Sequence, residues 1–303
     1  MYKYITKYNF DNFEPPFRFK VPFKNGAKFK LLNVYYEYYF SPSEYEQTLV
    51  CSYYSDNDDL ETAKNNINNS TTILQYLLSI PLESNNIDKT FVLPWLEEIT
   101  DFKNISNQKE DTLKFISYKV TKFNNSTTFF YEVLKLYNIG FKNNVFDRNE
   151  DAVLYYFKVI ERISKHYYTR FNDKYYTNQV KRNNKREVHI FLERFLKENL
   201  KVAMTSDMLN TMVDGIYSNI RNEAYNSTFL KISFFCEHNN IKVNYNKLHQ
   251  LVKTRNKLAH GDEVAKETLL QSLKLAFKLA QSFISINCFN KNFSDISLQT
   301  KIF

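Results

Sequence analysis

The sequence predicts an α+β chain: a β-rich module with at least one helix in residues 1–112, followed by an α-helical bundle in residues 113–303. Three observations carry that prediction. The early segments alternate apolar and polar residues with a period of two, as a half-buried sheet requires. From about Leu113 onward the apolar residues recur instead at three- and four-residue spacing, and they keep doing so. With 303 residues, 43% hydrophobic and 24% charged, the chain is long enough to bury one large core or two ordinary ones.

In chain order, Phe17-Arg18-Phe19-Lys20-Val21 reads as a strand, bounded by Pro15-Pro16 and by a hairpin-type turn at Asn25-Gly26. The segments Lys28 to Phe40 and Glu46 to Tyr54 are rich in Tyr, Phe, Val and Leu, all good strand formers. Ser55-Asp56-Asn57-Asp58-Asp59 breaks the pattern. Leu60, Ala63, Ile67, Ile73, Leu74, Leu77 and Leu78 then mark a helix with an Asn-rich centre. Pro81 and Pro94 make residues 81–112 irregular, with a strand at Phe91-Val92-Leu93 and a short helix from Trp95 to Phe102. No catalytic constellation is visible in residues 1–112, which read as an accessory or recognition module.

The second part begins with helical periodicity from Phe115 to Gly140, broken at Asn124-Asn125-Ser126. A stronger helix spans Asp147 to Tyr168, with Val153, Phe157, Ile160 and Ser164 on one line. Acids at its start (Asp147, Glu150, Asp151) and bases at its end (Lys165, His166, Arg170) suit the helix dipole. Further helices are expected at Val188 to Val202, Met208 to Ile220, Leu230 to His238 and Leu248 to Ala259, the last stopped by Gly261. Leu269, Leu273, Ala276, Phe277, Ala280 and Phe283 mark a closing amphipathic helix.

A net charge of +8 favours anionic partners, nucleic acid before membrane surfaces. The 23 Tyr and 27 Phe, together with abundant Asn, Lys and Ile, read as the residue drift of an AT-rich genome rather than as an aromatic binding surface. Cys51, Cys236 and Cys288 have neither disulfide-framework nor zinc spacing, which points to a reducing cytoplasm. The start of the chain has no apolar signal core, and no run of about 18 apolar residues suggests a membrane span. Gly26, Gly140, Gly215 and Gly261 are scattered, so no phosphate-cradling loop is present. No Gly-x-Ser-x-Gly or Cys-His arrangement supports an acyl-transfer hydrolase, no His/Asp/Glu cluster at ligand spacing is visible, and neither a metal nor a cofactor is expected.

The chemistry concentrates in Arg255-Asn256-Lys257-Leu258-Ala259-His260-Gly261. On a helical wheel, Leu248, Leu251, Val252, Arg255, Leu258 and Ala259 share one face, so Arg255 is expected on an apolar stripe. A guanidinium keeps its proton, so in that position it needs a carboxylate, a phosphate or a wet interface beside it. His260 precedes the helix-stopping glycine, where the partial negative charge of a helix C-terminus favours the imidazolium. Asn256 lies one turn below His260, within reach of a hydrogen bond. Arg255 and His260 are about 140° apart around an intact helix. They meet at one phosphate only if the helix breaks after Leu258, or if two copies of the site face each other.

Arg-Asn-x-x-x-His-Gly at a helix end, late in a helical region, resembles the motif of the HEPN domain superfamily, and its Apea-like group in particular. The resemblance covers roughly residues 113–290, with Asp151 to Tyr168 and its Glu161 similar to the early long helix and Glu263 to Phe289 to the closing one. It implies a homodimeric, metal-independent endoribonuclease in which the RNA 2′-OH attacks the adjacent phosphate. His260 would then serve as general base or acid, Arg255 would hold the phosphate, and Asn256 would orient His260 or contact the phosphate. Glu161 is the carboxylate expected to support Arg255. The family analogy adds a role as toxin or antiviral effector acting on cellular or phage-triggered RNA, tRNA included, under the control of an antitoxin or regulatory partner. The alternative is a catalytically silent module that binds RNA, nucleotide or a protein.

A basic stretch bears on the same question. Lys165, Arg170, Lys174, Lys181, Arg182, Lys185 and Arg186 face one acid, Asp173, with Tyr167, Tyr168, Phe171, Tyr175 and Tyr176 interleaved. Cations for phosphates and rings for unstacked bases suit single-stranded RNA; a solvated basic segment with its rings packed inward is the structural alternative. Arg162 and His166, four residues apart, are too close for the Arg-to-His gap of the motif.

Overall fold

The computed structural model describes residues 1–10, 21–41, 46–82, 86–97, 99–123, 127–175, 178–200 and 205–299; the side chains of residues 9, 96, 172–175, 178–182, 200 and 217–226 lie outside that description. The chain is α+β, with a small antiparallel sheet in the N-terminal part and helices after it. Contact density divides it into two units, Met1–Val159 with Val264–Phe303, and Ile160–Glu263.

In the first unit, β1 (Tyr2–Asn9), β2 (Ala27–Leu31), β3 (Val34–Ser41), β4 (Glu46–Ser55) and β5 (Asp88–Phe91) form one sheet in the order β2-β3-β4-β1-β5. Period-two burial sends Tyr4, Phe29, Tyr36 and Leu49 to the inner face, while Lys3, Lys28, Tyr35 and Glu37 stay partly exposed on the other. Helix α1 (Leu60–Leu78) covers the inner face. It starts at Asp59, whose carboxylate accepts the Thr62 amide at 3.0 Å. The buried phenols find partners on α1: Tyr36 donates to Ser70 at 2.7 Å, and Tyr8 lies 3.0 Å from Thr71 Oγ1.

Helices α2 (Asn107–Thr121) and α3 (Thr127–Val145) follow, then α4 (Asn149–Tyr175), within which the division between units falls. The first unit is completed by α9 (Lys266–Ile284), a π-turn at Ser285–Phe289 and α10 (Phe293–Ile296). Tyr137 on α3 sits among Tyr76, Tyr156 and Phe277. Gln281 donates to its hydroxyl at 3.0 Å, Tyr76 donates to the Gln281 carbonyl at 2.9 Å, and the Leu298 amide donates to the Leu77 carbonyl at 3.0 Å.

The second unit holds the end of α4 with α5 (Asn178–Phe195), a π-turn at Leu196–Leu200, α6 (Ser206–Asn226), α7 (Thr228–His238) and α8 (Tyr245–His260). Leu192, Leu196 and Leu209 form a small core cluster with Ile216 against it. Ile190, Phe191, Phe195, Met208 and Met212 of the same helices are exposed.

Several expectations need correction. Asn25-Gly26 does form a turn, with the Ala27 amide on the Lys24 carbonyl at 3.0 Å and Gly26 at φ 70°, but a second turn at Leu32-Asn33 divides Lys28 to Phe40 into two strands; Leu32 takes φ 55°, a conformation that its side chain does not advertise. Among its described residues, Trp95 to Phe102 is not an α-helix: a 3₁₀ turn forms at Pro94–Leu96, and the bridge Lys28↔Lys103 follows the segment and ties its end to the sheet. Helix α5 starts ten residues before Val188, so the basic stretch is helical up to its described ends. The run Phe17 to Lys20, the break at Asn124-Asn125-Ser126 and Tyr176 lie outside the described residues.

Candidate functional site

Helix α8 carries the Arg255–His260 stretch. Its N-cap Asn244 accepts the Lys247 amide at 3.1 Å, and its buried line is Leu248, Leu251 and Thr254. The apolar stripe expected through Leu258 and Ala259 is therefore displaced: Ala259 is exposed, and Arg255 stands at the border of the buried face with its side chain 33% exposed. A guanidinium gains from that border position, because its aliphatic stem packs while its head keeps solvent.

The carboxylate that Arg255 requires is Glu161 of α4. Arg255 Nη2 donates to Glu161 Oε2 at 3.3 Å, and Nη1 donates to Asn256 Oδ1 at 3.0 Å. Asn256 thus turns its amide oxygen toward its neighbour, not toward His260. The second Glu161 oxygen accepts the Thr228 hydroxyl at 3.2 Å. One carboxylate ties together α4, α7 and α8, and each of its oxygens has a partner.

Helix α8 is continuous to His260. Gly261 closes it at φ 80°, with its amide on the Leu258 carbonyl at 3.1 Å and the Asp262 amide on the Lys257 carbonyl at 2.9 Å. The helix does not break after Leu258, so Arg255 and His260 stay about 140° apart around the axis. His260 is exposed and, among the described residues, has no hydrogen-bond or ion-pair partner.

Two residues that carry no recognisable sequence signal belong to this neighbourhood. Thr228 opens α7 and reaches Glu161 directly. Lys231 follows it by one helical turn and is half-buried beside Glu161 and Lys165. Burial first, then the Lys165 ammonium, lowers the Lys231 pKa, and Glu161 opposes the shift. Nothing in the spacing of Ser227 to Lys231 announces that α7 would lie against α4; only the fold brings them together.

The basic stretch is distributed over two helices. Lys165 and Arg170 are exposed on α4, and Arg186 is exposed on α5. Lys185 pairs with Asp214 of α6 at 2.6 Å, a surface ion pair of small energetic weight. Lys181 and Arg182 fall on α5 with their side chains outside the described residues. Three of the interleaved rings contact α7: Tyr167 meets Phe235 edge-on at 4.9 Å, and Tyr168 and Phe171 meet Phe234 at 5.3 and 4.7 Å. Those three rings are partly buried in the packing of α7 on α4.

Among the described residues no group of three His, Cys, Asp or Glu side chains is placed to hold a metal, and no helix is long and apolar enough to cross a membrane. No protein-family model, curated protein or solved structure matches the chain.

Proposed function

We propose that the chain is an endoribonuclease of the HEPN type that cleaves RNA without a metal, by attack of a 2′-OH on the adjacent phosphate. The observation that carries this reading is the pairing of Arg255 with both Asn256 and Glu161, on the same unbroken helix that presents an exposed His260 one residue before its cap. A guanidinium held from one side by Glu161 and Asn256 is oriented, and that fixed direction is what stabilising charge on a phosphate requires.

In this mechanism His260 takes the proton from the attacking 2′-OH or delivers one to the departing 5′-oxygen. Arg255 holds the non-bridging oxygens while charge builds on them. The products carry a 2′,3′-cyclic phosphate and a 5′-OH. Because Arg255 and His260 diverge on one helix, the working site takes Arg255 from one copy and His260 from another across a two-fold axis. The exposed Ile190, Phe191, Phe195, Met208 and Met212 give the same unit an apolar surface of the kind that association covers. A toxin or antiviral role, with a restraining partner, follows from the family resemblance alone.

The test is to incubate wild type, Arg255→Ala and His260→Ala with mixed RNA in EDTA and to identify the product ends. Cleavage by wild type alone, with cyclic phosphate ends, is the expected result; equal cleavage by all three proteins would sink the assignment. One observation favours the second reading, a silent binding module: Arg255 already has carboxylate and amide partners, so structure alone accounts for its presence. That reading expects RNA binding without cleavage and a small effect of His260→Ala.

A further inference from the structure

We infer that the partly exposed face of the sheet carries a binding site for one nucleobase, in a hollow of about 230 Å³ built by the strands and the segment after Leu96. Ile5 of β1 and Val50 of β4 give it an apolar floor. Tyr35 of β3 and Tyr54 of β4 line it as a pair, ring centroids 5.6 Å apart and planes at 76°. Lys30, which does not line the hollow, holds Tyr35 from one side with its ammonium 4.8 Å from the ring centre. Glu97 and Thr100 also line it, and their segment is tied to the sheet by Asp101 on Lys30 at 3.4 Å and by the bridge Lys28↔Lys103. The site lies wholly within the first unit and stands whether or not the second unit cleaves RNA.

Charge narrows the ligand first. The four charged side chains of the lining pair off, Lys3 with Glu97 at 2.8 Å and Lys28 with Glu37 at 3.4 Å. Among the described residues the hollow therefore carries no net charge, and a phosphate finds no spare cation in it. Size comes second: sites for drug-sized ligands run to roughly 300–1,000 Å³, so this smaller one admits a single ring system. Two tyrosine rings near a right angle let a flat ligand stack on one and meet the edge of the other. A sugar would set hydroxyls against the Ile5 and Val50 floor, where they find no partner. Glu97 then selects the edge. Its Oε2 takes both Lys3 and the Tyr54 hydroxyl, at 2.8 and 2.9 Å, while among the described residues Oε1 accepts no hydrogen bond. An ionised acceptor in that position calls for an amino donor, which adenine, cytosine and guanine carry. Uracil flanks its one N–H with two carbonyls, and a carboxylate repels those. The same chemistry has two sources, a free nucleoside or an unstacked base of single-stranded RNA.

The full chain is titrated with free cytidine, adenosine, uridine and ribose, followed by saturation-transfer NMR. It is also titrated with fluorescent oligoribonucleotides of cytidine alone or uridine alone, whose 2′-O-methyl groups prevent 2′-OH attack. Cytidine is expected to bind roughly fivefold or more tightly than uridine, as the nucleoside, in the oligomer or in both. Binding of the nucleosides names the free compound as the source, and binding of the oligomer alone names a base within RNA. Tyr35→Ala should weaken cytidine binding roughly ten- to a hundredfold, the loss of one stacked base. The slope of log affinity against log salt should not move, because no phosphate contact is lost. Tyr35→Phe keeps the ring and should bind like wild type. Glu97→Gln should bring cytidine and uridine to equal affinity, a ratio that a partly unfolded sample does not alter, so it decides the matter if Tyr35→Ala fails to fold. Four results overturn the inference: no binding of any base, uridine or ribose bound as tightly as cytidine by wild type, equal losses in Tyr35→Phe and Tyr35→Ala, or a cytidine preference that survives in Glu97→Gln. None of them bears on cleavage by Arg255 and His260, which is read from product ends.

Discussion

Arg255 Nη2 lies 3.3 Å from Glu161 Oε2, a contact that spans 94 residues of sequence and joins the helix bearing His260 to the long helix α4. Both side chains are 33% exposed, so the pair sits in the regime where an ion pair orients more than it stabilises. That distinction gives the contact a measurable signature.

Glu161→Gln keeps the shape of the side chain and removes its charge. The cost in stability is expected to be no more than about 1 kcal/mol, since the pair is solvent-screened. On the proposed ribonuclease reading, cleavage of RNA falls roughly ten- to a hundredfold, because a guanidinium displaced by about an ångström would lose its alignment on a phosphate. Thermal unfolding and single-turnover cleavage, measured on the same preparation, separate the two effects. A large fall in melting temperature with normal activity in the surviving fraction would make the contact purely structural.

Gly261 closes α8 at φ 80°, and a Cβ built there meets nothing within 4 Å. The penalty of Gly261→Ala is therefore backbone strain alone, about 1–2 kcal/mol, and Gly261→Asn should cost less because Asn tolerates that conformation. Since His260 is the residue before the cap, the proposed ribonuclease reading also expects Gly261→Ala to reduce cleavage more than its stability loss explains. Chemical denaturation combined with activity at matched folded fraction measures both.

His166 on α4 has its pKa lowered from 6.5, by burial first and by the Arg170 guanidinium second. The folded state therefore binds fewer protons there than the unfolded chain does. Stability contributed by the neutral imidazole is present above about pH 6.5 and is lost as the pH falls through that value toward the lowered one. A urea midpoint measured from pH 8 to pH 5 should decline, and His166→Gln should flatten the decline. A wild-type profile that stays level across that window would contradict the assignment.

Burial pushes the Cys236 and Cys288 thiols up to about 12, and it raises Cys51 further still. At pH 8 the thiolate fraction of Cys236 and Cys288 is then roughly one part in ten thousand. Iodoacetamide should label none of the three cysteines in the native protein within minutes and all three after denaturation. Rapid labelling at one of them would locate a local opening that the packing does not foresee.

Much of the helical half was legible in the sequence because burial there follows one-dimensional periodicity. Val153, Phe157, Ile160 and Ser164 of α4 share a wheel face, and all four are buried. The cap at Gly261 was equally visible, since glycine is the residue that tolerates φ 80°. The Leu32-Asn33 turn was hidden because Leu32 occupies a left-handed conformation that leucine rarely marks. The position of Arg255 was half legible: the wheel put it near the apolar face, but the buried line turns off through Thr254, which no hydropathy pattern favours. Thr228 was illegible, because its part in the site comes from the docking of α7 on α4, a long-range event with no local signature.

The first unit is discontinuous in sequence, formed by Met1–Val159 together with Val264–Phe303. Its last hydrogen bonds join Tyr76 to Gln281 across 205 residues and Gln299 to Leu78 across 221. During synthesis at about 5–20 residues per second, residues up to 159 leave the ribosome roughly 6–28 s before the segment that closes over Tyr76 and Tyr137. Through that interval the aromatic faces of α1 and α3 lack their cover, while Ile160–Glu263, contiguous in sequence, emerges whole. The first unit is therefore completed only after the whole of the second has been made, so its closing segment is the last part of the chain to find its place.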